Sequence, residues 1–120
     1  MNDLTNNAIQ LLEDLIKIES YSFNEIKTGN RIEKWFKSHK IEFKRNQNNI
    51  YALNKFYDSN KPTILLNSHH DTVKPNKGYK NDPFNSKKEN GKLYGLGSND
   101  AGGALVSLIA VFTYYYNKKD

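Results

Sequence analysis

The chain has 120 residues, of which 26% are charged and 37% hydrophobic, and its formal net charge is +5. It contains no cysteine, which excludes a disulfide framework, a thiolate metal site and a cysteine nucleophile. No apolar run approaches the roughly 18 residues of a membrane span. The first residues, Met1–Thr5, lack the basic start and apolar core of a signal peptide. We therefore expect one small domain over residues 1–120, cytoplasmic and without a membrane partner.

The positive charge does not by itself predict a nucleic-acid partner. The lysines are spread along the chain, with small clusters only at Lys87–Lys88 and Lys118–Lys119. Nucleic-acid-binding proteins usually show a dense basic patch or a recognition motif, and neither is visible. We expect a solvated basic surface and no nucleic-acid partner.

The chain begins with a pattern typical of an amphipathic helix. Asp3 or Thr5 can cap its start, and the pattern continues to about Ile18. One apolar stripe at helical spacing consists of Ala8, Leu11, Leu12 and Leu15.

A second helix is predicted from Ser22 to about His39. Ser22 and Glu25 have the spacing of a capping box, in which each side chain bonds the other residue's backbone N–H. The buried stripe of this helix consists of Ile32, Trp35 and Phe36. The pattern gives Glu25 a structural role, and His39 is expected to be exposed, where it complements the helix dipole.

Three strands are predicted next. Ile41–Lys44 alternates between apolar and polar residues, Asn46–Asn49 reads as a turn, and Ile50–Phe56 is the expected hairpin partner. Ile64–Leu66 is a consecutive apolar run, typical of a strand buried on both faces. The order of elements predicts an α/β fold with a mixed sheet flanked by helices.

The apolar run leads into His69, His70 and Asp71. Ligands in open α/β sheets bind just beyond the carboxyl ends of strands. Because residues i and i+2 of an extended segment point to the same side, His69 and Asp71 should converge while His70 faces away. Imidazole is the commonest metal ligand, and a nearby carboxylate can bind the metal or orient the ring. The alternative is a polar turn whose histidines are merely exposed.

A long polar loop is predicted over Lys74–Asn90, a length that is often functional. Gly91–Gly97 follows, and its glycines allow positive φ and close backbone approach. Asp100 then precedes a helix predicted from Ala101 to about Tyr116. Asp100 could be the helix N-cap, or it could face the same cleft as His69 and bridge two cations there.

The last predicted helix is apolar nearly all round. Its apolar residues include Ala104, Leu105, Val106, Leu108, Ile109, Ala110, Val111 and Phe112. Such a helix is normally buried on most sides, and two helices and three strands give it little cover. We therefore expect an incomplete folding unit or a chain that needs a partner.

Four motifs follow one another along the chain: His69–Pro75, Asp82–Phe84, Gly91–Gly97 and Asp100. Together they resemble the M20 family of zinc-dependent amidohydrolases and peptidases. Within that family they are most similar to the acetylornithine deacetylases and succinyl-diaminopimelate desuccinylases. The resemblance extends from about Leu4 to Tyr116 and implies part of a zinc-peptidase-like catalytic domain.

The resemblance also implies roles for three residues. His69 matches the terminal ligand of one zinc, Asp100 matches the carboxylate that bridges two zincs, and Asp71 matches the catalytic carboxylate that orients His69. The implied cofactor is two Zn²⁺ per intact site, with Co²⁺ or Mn²⁺ as possible substitutes. The implied reaction is hydrolysis of a small N-acyl amino acid by a homodimeric enzyme, here acetylornithine deacetylase-like and part of arginine biosynthesis.

The chain departs from the family pattern in two ways. Leu96 stands where members usually carry Arg, and Ala101–Ala104 stands where they carry Met-Lys-Gly-Gly. Asp120 is the only acid after Asp100, so the family's paired glutamates, further acidic ligand and last histidine have no counterpart. The resemblance therefore implies an N-terminal piece of the catalytic domain, without the dimerisation domain, inactive alone and a poor zinc binder. The alternative is a non-catalytic module that binds a partner through its uncovered sheet edge and last helix.

Overall fold

The computed structural model describes residues 2–119, so Met1 and Asp120 lie outside the described residues. Within them the helices and strands are α1 (Asn2–Ile16), α2 (Ile26–Ser38), β1 (Lys44–Asn46), β2 (Asn49–Tyr51), β3 (Lys87–Glu89), β4 (Lys92–Tyr94) and α3 (Gly103–Tyr115). The described strands form two separate antiparallel hairpins, β1–β2 and β3–β4. Helices and strands are both present, as an α/β prediction requires, but the predicted mixed sheet is not seen in this part of the chain.

The three helices share one hydrophobic core. The predicted stripes of α1 and α2 are confirmed, and α3 adds a third face. The buried residues of this core include Ala8, Leu11, Leu12, Leu15, Ile16, Ile32, Trp35, Phe36, Leu105, Val106 and Ile109. The indole Nε1 of Trp35 donates to Thr113 Oγ1 at 2.9 Å, which ties α2 to α3.

The prediction of a capping box at the start of α2 was wrong. Glu25 precedes the helix without a side-chain capping bond. Its carboxylate instead accepts from the Phe23 backbone N–H at 2.6 Å and from Asn48 Nδ2 at 2.7 Å. Phe23 has a φ of 72°, and this left-handed residue turns the chain before α2 begins. Ser22 therefore does not face the first amides of the helix.

The β1–β2 hairpin was predicted, and the β3–β4 hairpin was not. Residues 46–49 form the turn of the first hairpin, as expected, but β1 shares only Lys44 with the predicted strand Ile41–Lys44, and β2 is shorter than predicted. Strand β3 lies in the stretch predicted to be loop, Lys74–Asn90, and β4 lies in the glycine-rich stretch Gly91–Gly97. The second hairpin turns at Asn90 and Gly91, whose φ angles are 51° and 74°. Asn-Gly is a strong hairpin signal because both positions of a type I′ turn need positive φ.

The predicted buried strand at Ile64–Leu66 was wrong. Ile64 is 87% exposed and Leu65 is 84% exposed. This segment pairs with no strand among residues 2–119. A strand is buried only where neighbouring strands bond its edges and other elements cover its faces, and the described elements supply neither.

Helix α3 is buried on one face rather than all round. Leu105, Val106 and Ile109 are buried, while Val111 is 47% exposed. The other helices reach only one side of α3, so its opposite apolar side faces solvent. No helix among the described residues combines the length and the hydropathy needed to cross a bilayer.

Candidate metal site

The candidate site lies where the extended segment that follows residue 63 meets the loop between α1 and α2. We call residues 69–72 the site segment and residues 17–25 the α1–α2 connection. Tyr21 and Thr72 form an isolated parallel bridge, and the Thr72 N–H donates to the Ser20 carbonyl at 2.8 Å. The site segment, which contains His69 and Asp71, is therefore held by a part of the chain about 50 positions earlier.

His69 lies between two carboxylates. Its Nδ1 is 3.1 Å from both Asp71 Oδ1 and the Asp71 carbonyl oxygen, and its Nε2 is 3.1 Å from Asp100 Oδ1. All three of these oxygens only accept hydrogen bonds, so both ring nitrogens donate in the charged ring. When the neutral ring carries its proton on Nδ1, Nε2 presents a lone pair to a carboxylate. A proton or a cation between these two electron-rich atoms would remove their repulsion.

Both members of the His69–Asp71 pair are shifted toward their charged forms. Partial burial opposes protonation of His69, but hydrogen bonds with Asp100 and Asp71 outweigh it and raise the pKa of the ring. The hydrogen bond from Ser22 lowers the pKa of Asp71, helped by His69 and opposed by partial burial. Asp71 is therefore a carboxylate at neutral pH.

His70 points away from this pair, as alternation along an extended segment predicts. Its Nδ1 lies 2.8 Å from Thr28 Oγ1, and its Nε2 lies 2.9 Å from the Asn48 carbonyl oxygen. Because that carbonyl only accepts, Nε2 donates to it. His70 thus links the site segment to α2 and to the β1–β2 turn. Both of its ring nitrogens already have partners, so neither is free to share a metal ion with His69.

Asp100 is not the N-cap of the last helix. That helix begins at Gly103, and the preceding Gly102 makes no side-chain cap. Asp100 lies in a kinked turn over Ser98–Gly102, with an extended backbone at φ −126° and ψ 98°, and its peptide bond to Ala101 is cis. The N-cap alternative was therefore wrong, and the carboxylate faces His69.

The predicted close backbone approach is found at Gly97. A Cβ there would lie 2.6 Å from Thr72 Cγ2, so only glycine lets the turn that carries Asp100 contact the site segment. The Gly102 N–H donates to the Gly97 carbonyl at 2.7 Å and closes this turn. The glycine-rich stretch therefore sets the distance between Asp100 and His69.

The His69–Asp100 pair fits two ligands of one zinc ion. Two zinc–ligand bonds of about 2.0–2.1 Å at a tetrahedral angle separate their donor atoms by roughly 3.3 Å, close to the 3.1 Å observed. Asp71 contacts the opposite ring nitrogen of His69, at 3.1 Å, on the side of the ring away from Asp100. Within residues 2–119, no group of three or more His, Cys, Asp or Glu residues is arranged so that all could hold one metal ion. The described residues thus supply two donors, one fewer than hydrolytic zinc sites normally use.

A groove of about 720 Å³ opens beside His69 and Asp71. His69 and His70 lie at its polar end, and its apolar lining includes Phe36, Leu105 and Phe112. His69 and Asp100 have side chains 50% and 88% exposed. A solute or an ion can therefore reach the site without any movement of the described residues.

Three residues at the site were missed by the sequence reasoning: Ser22, Thr28 and Asn48. The spacing of Ser22 predicts a helix cap, yet its hydroxyl donates to Asp71 Oδ2 at 2.5 Å. Thr28 and Asn48 carried no motif. Their contacts join positions 42 and 22 residues apart, which no local pattern reveals.

Comparison with known proteins identifies one family. The model of peptidase family M20/M25/M40 matches residues 65–119. A succinyl-diaminopimelate desuccinylase of Blochmanniella floridana is 30% identical over 96% of this chain. A Rickettsia bellii protein of the same name is 28% identical over 88% of the chain, and a Staphylococcus aureus protein named a probable succinyl-diaminopimelate desuccinylase is 29% identical over 84%.

The matches cover only part of each relative. The chain spans 24% of the Rickettsia bellii protein, 26% of the Staphylococcus aureus protein and 32% of the Blochmanniella floridana protein. The homology is thus distant but extends over most of the present chain. The turn that carries Asp100 and the site segment both lie within the part matched by the family model.

Proposed function

This chain belongs to the M20/M25/M40 peptidase family through residues 65–119, and on that premise we propose that it forms part of the catalytic domain of a zinc hydrolase of N-acyl amino acids. His69 and Asp100 are the metal ligands in this proposal, and Asp71 orients His69. One observation carries it: His69 Nε2 faces Asp100 Oδ1 at 3.1 Å while Asp71 holds the opposite ring nitrogen.

This geometry supports the proposed roles of the three side chains. When bound, zinc would supply Lewis-acid activation of an amide carbonyl and of water. Asp71 accepts a hydrogen bond from Nδ1–H of His69. This bond favours the tautomer in which Nε2 carries no proton and is free to bind metal. Asp100 contributes negative charge at the same point. The remaining metal ligands and the general base would come from outside the described residues, as would the contacts of a homodimer.

The proposed substrate is a small N-acyl amino acid. The names of the relatives make N-succinyl-diaminopimelate the first compound to test. N-acetylornithine, suggested by the sequence motifs, is the second. Both reactions hydrolyse an amide on the amine of an amino acid, so the same zinc chemistry serves either one. A two-donor site is a weak zinc site, and we expect this chain alone to hydrolyse neither compound faster than a metal-only blank.

Zinc binding tests the proposed ligands directly. Isothermal titration of the 120-residue chain with Zn²⁺ should show weak binding. His69→Ala and Asp100→Asn should each weaken it by more than about tenfold, because even changes outside the ligand set cost 10- to 100-fold. His39→Ala is the matched histidine control, because the His39 ring stacks on Trp35, with ring centroids 4.3 Å apart, and is not part of the proposed metal site. Equal affinities in all four proteins would refute the assignment.

A second function is favoured by the exposed segment at Ile64 and Leu65, which are 87% and 84% exposed. An unpaired extended segment can accept a strand from a partner. A non-catalytic interaction module built on this edge and on α3 would sediment as a dimer whose stability zinc does not change. A monomer that binds zinc would favour the hydrolase.

Nucleic-acid binding would weaken steeply with salt, and we expect none at physiological salt.

A further inference from the structure

The α1–α2 connection and the first turn of α2 together contact the site segment at three consecutive residues. Thr28, just inside α2, contacts His70 at 2.8 Å, Ser22 donates to Asp71 at 2.5 Å, and the Ser20 carbonyl accepts from the Thr72 N–H at 2.8 Å. Contacts on three successive residues hold both the backbone and the side chains of the segment. The connection is therefore a support for the site as well as a link between helices.

Asp71 lies between two anchored neighbours. His70 is bonded at both ring nitrogens, and the Thr72 N–H is bonded to Ser20. The backbone of Asp71 is therefore fixed, and only rotation of its side chain remains. The hydroxyl of Ser22 removes this freedom because it holds Oδ2, which leaves Oδ1 facing His69 Nδ1 at 3.1 Å.

The Ser22–Asp71 bond is short and charge-assisted. Its 2.5 Å length lies at the strong end of O–H···O⁻ contacts, about 2.5–2.7 Å. Ser22 itself is exposed, so it contributes no core packing. A strong hydrogen bond from an exposed hydroxyl to a carboxylate that in turn holds a histidine is the arrangement that orients metal ligands from outside.

We propose that Ser22 is a positioning residue of the site, acting through Asp71 to fix the ring orientation and tautomer of His69. The relay runs from the Ser22 hydroxyl to Asp71 Oδ2, and from Asp71 Oδ1 to His69 Nδ1. It leaves His69 Nε2 unprotonated and aimed at Asp100. The inference rests on the proposed function, because the tautomer matters only if His69 binds a metal.

The first test measures the His69 tautomer in the metal-free chain. Long-range ¹H–¹⁵N NMR at alkaline pH reports which ring nitrogen of the neutral histidine carries the proton. In the wild type we expect the Nδ1–H form to predominate. In Ser22→Ala the Nε2–H population should rise at least about threefold, since the outer partner sets the tautomer. Ser22→Thr, which keeps the hydroxyl, should match the wild type, and Ser59→Ala is the exposed serine control.

A double-mutant comparison separates positioning from a general structural effect. If Ser22 acts through Asp71, Ser22→Ala should change nothing further once Asp71→Asn is present. The same tautomer shift in both backgrounds would overturn the proposal, and so would identical spectra for Ser22→Ala and Ser59→Ala. If Ser22→Ala does not fold while Ser22→Thr does, Ser22 is a folding residue and the proposal also fails.

Zinc titration of the same variants distinguishes this inference from the proposed function. Ser22→Ala should bind Zn²⁺ alone about tenfold more weakly than the wild type, within the range for outer-shell changes. If the wild type binds no Zn²⁺, the metal function fails for this chain, while the tautomer measurement still decides the role of Ser22. If Zn²⁺ binds equally to both proteins despite a tautomer shift, positioning has no consequence for the metal and the proposal is overturned.

Discussion

Gly97→Ala should destabilise the chain more than Gly91→Ala, although the two glycines share a φ of 74°. A Cβ at Gly91 would meet nothing within 4 Å, whereas one at Gly97 would lie 2.6 Å from Thr72 Cγ2. The backbone strain of a left-handed alanine is therefore common to both variants. Only Gly97→Ala adds a steric overlap, and that overlap falls between the turn that carries Asp100 and the site segment.

The magnitudes follow from these two terms. Left-handed backbone costs an L-residue about 1–2 kcal/mol, partly offset because alanine restricts the unfolded chain by about 0.4–1 kcal/mol. Gly91→Ala should therefore lower the free energy of unfolding by about 1 kcal/mol. Overpacking adds about 1–3 kcal/mol, so Gly97→Ala should lower it by about 2–4 kcal/mol.

Urea unfolding followed by tryptophan fluorescence measures both changes. Trp35 is the only tryptophan of the chain and is 3% exposed, so its emission reports loss of the shared core. Thr72→Ser deletes Cγ2, after which the nearest atoms to an alanine at position 97 lie 3.7 and 3.8 Å away. The double variant should therefore recover the overpacking term. Equal losses in Gly91→Ala and Gly97→Ala, or no recovery in the double variant, would refute the reasoning.

Three further outcomes are expected. Thr72→Val should leave the midpoint of urea unfolding unchanged or raise it, because Thr72 Oγ1 is buried without a hydrogen-bond partner among the described residues; a clear drop would point to a partner for that hydroxyl. Burial opposes ionisation of Asp14, but hydrogen bonds from Arg31 and Gln10 outweigh it and lower the pKa of its carboxyl. The 2.8 Å ion pair with Arg31 thus stabilises the fold above the unfolded pKa by under about 1 kcal/mol, and this contribution is lost as pH falls below about 4. Asp14→Asn should flatten the acid limb of the stability profile, and parallel profiles would contradict this. Trp35→Phe should cost about 1–3 kcal/mol in thermal unfolding, because Thr113 loses its donor and the core loses volume; an unchanged midpoint would show that α2 and α3 do not depend on this bond.

The helices and the His69–Asp71 pair could be predicted because their signals are local. The apolar spacing of Leu11, Leu12 and Leu15 places them on one helical face whatever the rest of the chain does. Alternation along an extended backbone likewise places His69 and Asp71 on one side and His70 on the other. Asp100 lies 31 residues from His69, so local pattern left its place beside His69 as one of two alternatives, and the ordered motifs of the family resemblance favoured it.

The failed predictions depended on distant or competing partners. Ile64 and Leu65 have the composition of a buried strand, but burial needs neighbours that the described residues do not supply. Ser22 has the spacing of a helix cap, yet its hydroxyl donates a hydrogen bond to Asp71, 49 positions later in the chain. The β3–β4 hairpin carried its Asn90–Gly91 turn signal in the sequence. Strand β3 is wholly polar and both strands are only three residues long, so neither shows the apolar alternation that predicts a strand.

The support given by the α1–α2 connection also has a kinetic meaning. The contacts of Ser22, in the connection, and of Thr28, just after it, with the site segment close chain loops of 49 and 42 residues, and closing a loop of that length costs on the order of 3 kcal/mol of chain entropy. The helices need only local contacts and can form first, so the site should be among the last parts to assemble and the first to open in native-state fluctuations. The Thr72 amide should accordingly exchange with solvent deuterium faster than amides in the middle of α1. Competence to bind a ligand would thus be lost while most of the helical structure persists.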